Sequence, residues 1–382
     1  MAGVALLGYG VVGSGVAELL QKNADHIAQK AGQDVRLRYI LDIRDLSQTP
    51  HAGLQIKDFS LIENDPDVQV VAECIGGVGV ALEFVRRALR AGKHVVTSNK
   101  ELVAEHGSEL LALAEARNLN FLFEASVGGG IPVLRPMTQC LAANRINEIV
   151  GILNGTTNYI LSRMYQQGVS FDEALSEASA HGYAEADPSD DILGRDACRK
   201  ICILASLAFG THISPAQVLT EGITRLTGSD VSFAQKNGYR VKLLGRAIRC
   251  GRPDGQNAIW VAPHLVPEEH PLAGVYDVFN AIWINGDATG DIMFYGRGAG
   301  KEPTASAMAA DIIDAVKHMS ARKWAGWQPS ENLEVLSPAP LRSRWYARTV
   351  SGGLLTPPLT EDEFDAFTLT LPQVPDYRIR VL

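Results

Sequence analysis

Along the first third of the chain, short β-branched runs alternate with stretches whose apolar residues recur at helical spacing. Val4–Leu7, Val35–Leu41, Val68–Ile75, His94–Thr97 and Asn120–Phe123 read as strands. Helices fit between most of them: beyond Gly10, Val12, Val16, Leu19 and Leu20 share one face, and Leu82–Leu89 and Leu102–Ala114 keep the same period. Alternating βα units of this kind predict a parallel sheet with right-handed crossovers, a doubly wound α/β fold.

The texture changes near Ser126, where Gly128, Gly129 and Gly130 precede Pro132 and the chain is expected to leave the first sheet. In the second unit Ser170 and Glu173 form a Ser-x-x-Glu capping box, and Arg195 to Phe209 reads as an apolar-rich helix. Tyr239–Arg249, Ala258–Val266, Val278–Ile284 and Asp291–Tyr295 carry extended patterns, with a turn signal at Pro253-Asp254-Gly255, and predict a mostly antiparallel sheet. Met308, Ile312, Ile313 and Val316 return to helical spacing within Thr304 to Met319, which suits a helix going back to the first domain. The tail from Ser330, with Pro338, Pro340, Pro357 and Pro358, is expected to be an irregular extension.

Bulk properties narrow the chemistry. A chain of 382 residues, 46% hydrophobic and 20% charged, suits two or three globular domains. A formal charge of −8 without any Lys/Arg run gives no footprint for nucleic acid or an anionic membrane. Cys74, Cys140, Cys198, Cys202 and Cys250 are odd in number and lack CxxC spacing, as expected of reduced cytosolic thiols. Cys198 and Cys202, four apart on a helix, read as core residues rather than a metal pair. The start of the chain has no basic leader, and no apolar run reaches the ~20 residues of a membrane span, so a cytoplasmic protein is expected.

The first strand runs into Gly8-Tyr9-Gly10-Val11-Val12-Gly13 and then into a helix. In that setting the glycines allow a tight turn and close approach of a pyrophosphate, and the helix start supplies N–H donors. Asp42 and Arg44 fall at the carboxyl end of the second strand, where an acid favours NAD and a base tolerates the extra phosphate of NADP. Arg44 leans toward NADP; as a solvated loop charge it would leave NAD open. Lys100, after Val96-Thr97-Ser98-Asn99, lies at another strand's carboxyl end, either facing a ligand cleft or as a solvated helix-start lysine.

The most charged constellation is Gly182-Tyr183-Ala184-Glu185-Ala186-Asp187-Pro188-Ser189-Asp190-Asp191, followed by Arg195, Asp196 and Lys200. Four carboxylates and a lysine are expected to converge. Asp196 and Lys200 share a helix face by i, i+4 spacing, either as an exposed ion pair or, beside the Cys, Ile, Leu and Ala of that helix, as a proton-transfer pair tuned by burial. Asn154-Gly155-Thr156-Thr157-Asn158 serves equally as a ligand-orienting cluster or a helix cap. The nine histidines show no HExxH or HxH spacing.

Together these motifs resemble the homoserine dehydrogenase family, from Val4 to about Lys317, through Gly8–Gly13, Glu73-Cys74-Ile75-Gly76-Gly77, Thr97–Lys100, Glu124–Pro132, Gly151–Tyr159, Gly182–Lys200 and Gly296–Ser306. The resemblance implies NAD(P)-dependent interconversion of L-aspartate 4-semialdehyde and L-homoserine, in threonine, methionine and isoleucine biosynthesis, by a homodimer. It implies a Rossmann-type NAD(P) domain over residues 1–128, completed by a helix at 304–320, an α+β dimerisation and catalytic domain at 129–303, and an extension at 321–382. It places Lys200 as the catalytic acid/base, Asp196 as its partner and Lys100 as a second lysine between cofactor and substrate. Glu185, Tyr183, Asp190, Asp191, Thr156 and Gly155 fall at or beside substrate positions. Gly8, Gly10, Val11, Val12, Gly13, Arg44, Gly76, Ser98, Lys100, Gly300 and Glu302 fall at cofactor positions. Backbone oxygens at Glu124, Val127, Gly129 and Ile131 are where such a family holds a monovalent cation, usually sodium.

Two departures stand out. The family's Gly-Ala-Gly-Gly-Glu-Pro-Thr run appears as Gly298-Ala299-Gly300-Lys301-Glu302-Pro303-Thr304, with a lysine in reach of a cofactor phosphate. About fifty residues follow Ser330, too few for the ACT regulatory domain of many members, so threonine feedback is not expected. One rival activity, phosphorylating aspartate-semialdehyde dehydrogenase, needs a nucleophilic cysteine in a Cys/His arrangement that the sequence does not offer. A sensor that binds NAD(P) without chemistry has no use for the Asp196–Lys200 pair.

Overall fold

The computed structural model describes residues 1–250, 257–321, 326–328 and 335–382. They form two compact units, Met1–Ala143 with Ser206–Ser214 and Arg297–Glu331, and Asn144–Ala205 with Pro215–Gly296 and Asn332–Leu382. The first unit thus continues past 128, to Ala143. The turn expected at Pro253-Asp254-Gly255 lies outside the described residues.

The first unit carries a six-stranded sheet of β1 (Ala2–Leu7), β2 (Val35–Leu41), β3 (Gln55–Ile56), β4 (Val68–Glu73), β5 (His94–Thr97) and β6 (Phe121–Leu122), in the order β3-β2-β1-β4-β5-β6. Every pairing is parallel. All six residues of β1 are buried, the pattern of a central strand covered on both faces. On one face Ala2, Val4 and Leu6 join Val70, Ala72 and Val96 beneath Val16, Ala17 and Leu20 of the helix Val11–Lys22. The helix Lys301–Lys317 adds Met308, Ile312, Ala315 and Val316 to that core. It starts three residues before Thr304 because Pro303 falls in the first turn, where its missing N–H is no loss. The two helices approach closely at Gly15, where a Cβ would stand 2.9 Å from Cγ of Lys301 and 3.1 Å from Cβ of Ala305.

The second unit is built on a mixed sheet of β7 (Ile146–Ile152), β8 (Leu219–Thr220), β9 (Tyr239–Arg249), β10 (Asn257–Pro267), β11 (Phe279–Gly286), β12 (Gly290–Arg297), β13 (Trp345–Thr349), β14 (Gly352–Leu355) and β15 (Tyr377–Val381). The order is β12-β11-β7-β9-β10-β15-β13-β14, with β8 also on β10. The pairs β7–β9, β9–β10 and β7–β11 are antiparallel, whereas β8 and β15 run parallel to β10. The capping box of Ser170 and Glu173 forms at the start of the helix Phe171–Ala180.

The tail corrects the expectation of an irregular extension. Its prolines flank regular elements: β13, β14, a capped helix Glu361–Thr368 and β15, which pairs with β10. Tyr377-Arg378-Ile379-Arg380-Val381 alternates strictly, and its apolar side is buried as a strand requires. No helix among the described residues is long and apolar enough to cross a membrane.

Candidate active site

Each unit gathers its own set of the expected residues. In the first, they lie at the carboxyl ends of the parallel strands, where open α/β sheets bind ligands. Gly8 takes a left-handed φ of +88°, and a Cβ on Gly13 would sit 2.0 Å from the Gly8 carbonyl oxygen, so the turn excludes side chains at both positions. The helix beginning at Val11 has Gly10 as N-cap and no side-chain cap bond. A Cβ at Gly10 would meet nothing within 4 Å. Bare backbone, open space and an uncapped helix start fit a dinucleotide pyrophosphate. Val11 is exposed beside them, and Val12 is half-buried.

Beyond β2, Asp42 is committed internally. Its Oδ2 accepts Tyr9 N–H at 2.6 Å and Arg44 Nη2 at 2.6 Å, and its Oδ1 accepts Arg44 N–H at 2.9 Å and Nε at 3.0 Å. The Arg44 side chain holds this carboxyl well below the usual range, despite the opposing effect of burial. Arg44 thereby leans on Asp42 with its side chain 59% exposed. Lys57 Nζ donates to the carbonyls of Asp42, Ile43 and Arg44 at 2.9, 2.7 and 2.7 Å, which fixes the backbone of that loop.

Gly76 is exposed after β4, and half-buried Ser98 and Lys100 follow β5, with Lys100 the first residue of the helix Lys100–Ala116. Gly300 and exposed Glu302 open the helix Lys301–Lys317, and Gly300 has φ +123°. Lys301 itself is ion-paired with Glu18 at 2.7 Å, which answers where its ammonium goes: across the neighbouring helix.

The loop expected to hold a cation is buried at Glu124, Val127, Gly129 and Ile131. The Glu124 carboxylate accepts the N–H groups of Val133, Leu134 and Arg135 at 2.7, 2.9 and 2.7 Å, capping the helical turn that follows. Its own N–H donates to Asp311 at 2.9 Å, and Arg135 pairs with Asp311 at 2.5 Å. Burial lifts the Asp311 carboxyl to about 7 against the pull of Arg135. Among the described residues no group of three or more His, Cys, Asp or Glu is arranged to hold a metal.

In the second unit, the helix Arg195–Phe209 presents Asp196 and Lys200, 3% and 7% exposed. Lys200 Nζ donates to Asp196 Oδ2 at 2.8 Å and to the Leu153 carbonyl at 2.8 Å. The exposed ion pair weighed from the sequence is therefore excluded. Asn154 Nδ2 bridges Asp191 Oδ1 at 2.6 Å and Asp196 Oδ2 at 2.9 Å, while its Oδ1 caps the helix Gly155–Gln167 at Thr157 N–H. Of the two readings of the Asn154 motif the helix cap is present, and the same amide also ties the carboxylates of Asp191 and Asp196 together. Desolvation raises the Asp191 carboxyl, assisted by the charge of Asp196 and opposed by Asn154, Thr156 and Lys200.

Thr156 Oγ1 donates to the Tyr183 carbonyl at 2.7 Å. The exposed Tyr183 ring lies across Tyr159, with centroids 5.0 Å apart. Gly155 is the first residue of its helix, and a Cβ there would stand 2.8 Å from the Val278 carbonyl oxygen. The expected convergence of four carboxylates does not occur. Asp190 turns to Arg199 at 2.6 Å and Arg195 at 3.6 Å, Asp187 accepts Ser189 N–H, and Glu185 is exposed. Long basic partners on the same helix outcompete the cluster for Asp190.

Sequence reasoning quoted Glu73 only within a family motif, without a role, and passed over Asp311; both are buried acids. Asp311 had a signal, one of two acids, with Asp314, in the Met308–Val316 apolar run, while Glu73 at the end of a strand had none in the local pattern.

Comparison with known proteins identifies the family. The model of a family described as homoserine dehydrogenase matches residues 132–313, and that of the homoserine dehydrogenase NAD-binding domain matches residues 8–124. Homoserine dehydrogenase of Neisseria gonorrhoeae is 44% identical over 321 residues, covering 83% of this chain and 73% of the relative. That of Bacillus subtilis is 40% identical over 354 residues, covering 90% and 80%. A solved homoserine dehydrogenase from Thiobacillus denitrificans superposes with a TM-score of 0.92 at 36% identity, over 100% of this chain and 98% of that one. A hyperthermophilic archaeal homoserine dehydrogenase, solved in complex with NADPH, gives 0.69 at 26% identity over 82% and 97%. With an NAD-binding domain, a buried lysine–carboxylate pair and relatives of this closeness, the chain belongs to the homoserine dehydrogenase family.

Proposed function

We propose that this chain interconverts L-aspartate 4-semialdehyde and L-homoserine with Lys200 as the proton donor and acceptor at the reacting oxygen. The observation that carries the reading is the buried Lys200–Asp196 pair, tied through Asn154 to Asp191. The bound nicotinamide supplies the hydride that reduces the aldehyde carbon. Lys200, hydrogen-bonded to Asp196 at 2.8 Å, gives its proton to the oxygen as negative charge develops there, and takes it back in the oxidative direction. Asp191 and Asp196 against one ammonium leave net negative charge, which suits the amino group of the substrate. Gly155, Thr156 and the Tyr183 backbone border this cluster and orient the polar end, and Asp190 and Glu185 remain further substrate positions by resemblance alone.

The first unit holds the dinucleotide along Gly8, Gly10, Val11, Val12 and Gly13, with Gly76, Ser98, Lys100, Gly300 and Glu302 as further cofactor positions. Arg44 supports NADP over NAD: its exposed guanidinium is anchored on Asp42, whose oxygens already accept four hydrogen bonds and are poorly placed to take up a ribose hydroxyl. A monovalent cation such as sodium on the backbone oxygens of Glu124, Val127, Gly129 and Ile131 would stiffen that buried loop. A homodimer is the expected assembly. The edge strand β12 supports it by exposing Met293 and Tyr295 on one face, and sedimentation of the chain tests it.

Substrate discrimination tests the reading. The chain should reduce NADP with L-homoserine and turn over 4-hydroxybutyrate, which lacks the amino group, at least about a hundredfold less efficiently. Equal efficiency would remove the carboxylates from substrate recognition.

A further inference from the structure

A closed ring of hydrogen bonds at the carboxyl ends of β4 and β5 ties two loops together around Glu73. Glu73 and Thr97 stand directly opposite in the β4–β5 ladder, and both are 0% exposed. Glu73 Oε1 accepts Ile75 N–H at 2.6 Å, and Oε2 accepts the Thr97 hydroxyl at 2.5 Å. Thr97 Oγ1 in turn accepts Asn99 N–H at 2.9 Å. Asn99 Nδ2 donates back to the Ile75 and Gly77 carbonyls at 3.0 and 2.7 Å, while its Oδ1 accepts Leu102 N–H at 3.0 Å and caps the helix that begins at Lys100.

The ionised carboxylate accepts both bonds, one on each oxygen, whereas a neutral carboxyl would donate its own proton to Thr97 Oγ1 and turn the Thr97 hydroxyl proton away. Burial works against that form and pushes the carboxyl up to about 7. The fold therefore keeps an ionisable group where a neutral one would cost less. The loop it holds is open on its outer side, since a Cβ added at Gly76 or Gly77 would meet nothing within 4 Å.

We propose that Glu73 is a positioning residue that, through Thr97 and Asn99, locks the Ile75–Gly77 loop and the start of the Lys100 helix into one arrangement and so sets the affinity for the nicotinamide dinucleotide. This rests on the reading that Gly76, Ser98 and Lys100 meet the cofactor. An amide at position 73 can accept Ile75 N–H and donate to Thr97 Oγ1, but it cannot also accept the Thr97 hydroxyl, whose proton then loses its acceptor.

The full chain is tested as Glu73→Gln, Thr97→Val, Thr97→Ser and Gly76→Val, by fluorescence titration with NADPH, by thermal melting without cofactor, and by kcat and KM. Glu73→Gln and Thr97→Val are each expected to weaken NADPH binding about tenfold or more, the worth of one charge-assisted hydrogen bond. They should raise the cofactor KM more than they lower kcat, and Thr97→Ser, which restores the hydroxyl, should return binding to within about threefold of the parent. Melting of Glu73→Gln should stay within about 3 °C of the parent or rise, because a buried charge has been removed. Gly76→Val places a side chain in the open space and should weaken binding as well. If Gly76→Val binds NADPH normally, the cofactor reading fails and the proposal with it. If Gly76→Val binds poorly but Glu73→Gln binds normally, the cofactor reading stands and Glu73 is no positioning residue. A large fall in melting with no rescue by Thr97→Ser would make Glu73 a general stabilising residue and overturn the proposal.

Discussion

Replacing Lys200 with methionine separates what this lysine does for the reaction from what it does for the fold. Lys200 and Asp196 are both buried, and removal of one member of a buried pair costs about 3–5 kcal/mol because the other charge is left uncompensated. Asn154 Nδ2 still donates to Asp196 Oδ2 at 2.9 Å, and such a charge-assisted bond offsets part of the loss, about 1.5–3 kcal/mol. The expected net destabilisation of Lys200→Met is therefore about 2 kcal/mol. The double variant Lys200→Met/Asp196→Asn removes the stranded charge and should regain most of that loss. Turnover follows a different course. Loss of the proton donor should lower kcat by about 10²–10⁴-fold in both variants, because neither restores an acid at the reacting oxygen. Calorimetry of the apo chains and absorbance of NADPH with saturating aspartate semialdehyde read the two effects separately. A Lys200→Met chain within tenfold of the parent kcat, or a double variant that regains turnover along with stability, would refute the assignment.

Other perturbations give equally definite outcomes. Arg44→Ala should weaken NADPH about 10- to 100-fold and leave NADH within about threefold, by titration of each cofactor, since only the former carries the phosphate a guanidinium pairs with; equal losses would contradict the NADP reading. Gly13→Ala, whose methyl would lie 2.0 Å from the Gly8 oxygen, should abolish measurable cofactor binding and lower the melting temperature of the first unit. His264 is 0% exposed, accepts Trp260 Nε1–H at Nε2 and is held neutral, with burial and then Arg246 lowering its pKa to about 3. Its folded pKa lies below the unfolded value, so the stability it confers is complete above about pH 6.5 and is lost as pH falls toward 3, by about 5 kcal/mol in total. The stability gap between the parent and His264→Gln should shrink from pH 7 to pH 4; a gap that does not change with pH would contradict a neutral imidazole.

The parallel sheet was legible because its strands are continuous β-branched runs separated by periodic helices, and two of the fingerprint glycines, Gly8 and Gly13, stand where backbone geometry forbids anything larger. The Asp196–Lys200 pair was legible as a spacing, but only packing could show it buried. The carboxylates of the Tyr183–Asp191 loop misled for a related reason: proximity in sequence says nothing of which base each will find, and Asp190 found Arg199. The tail failed because its prolines dominate the local pattern, while the partner that makes β15 a strand is β10, more than a hundred residues earlier. Glu73 left no trace in periodicity, since its role arises from a ladder partner in the next strand but one α-helix away, Thr97.

The most direct test of the central claim is the product itself. With aspartate semialdehyde and NADPH, without phosphate, the chain should form one L-homoserine for each NADPH oxidised, and Lys200→Met should form it at least about a hundredfold more slowly. Oxidation of NADPH without homoserine, or homoserine formed at the parent rate by Lys200→Met, would contradict the account.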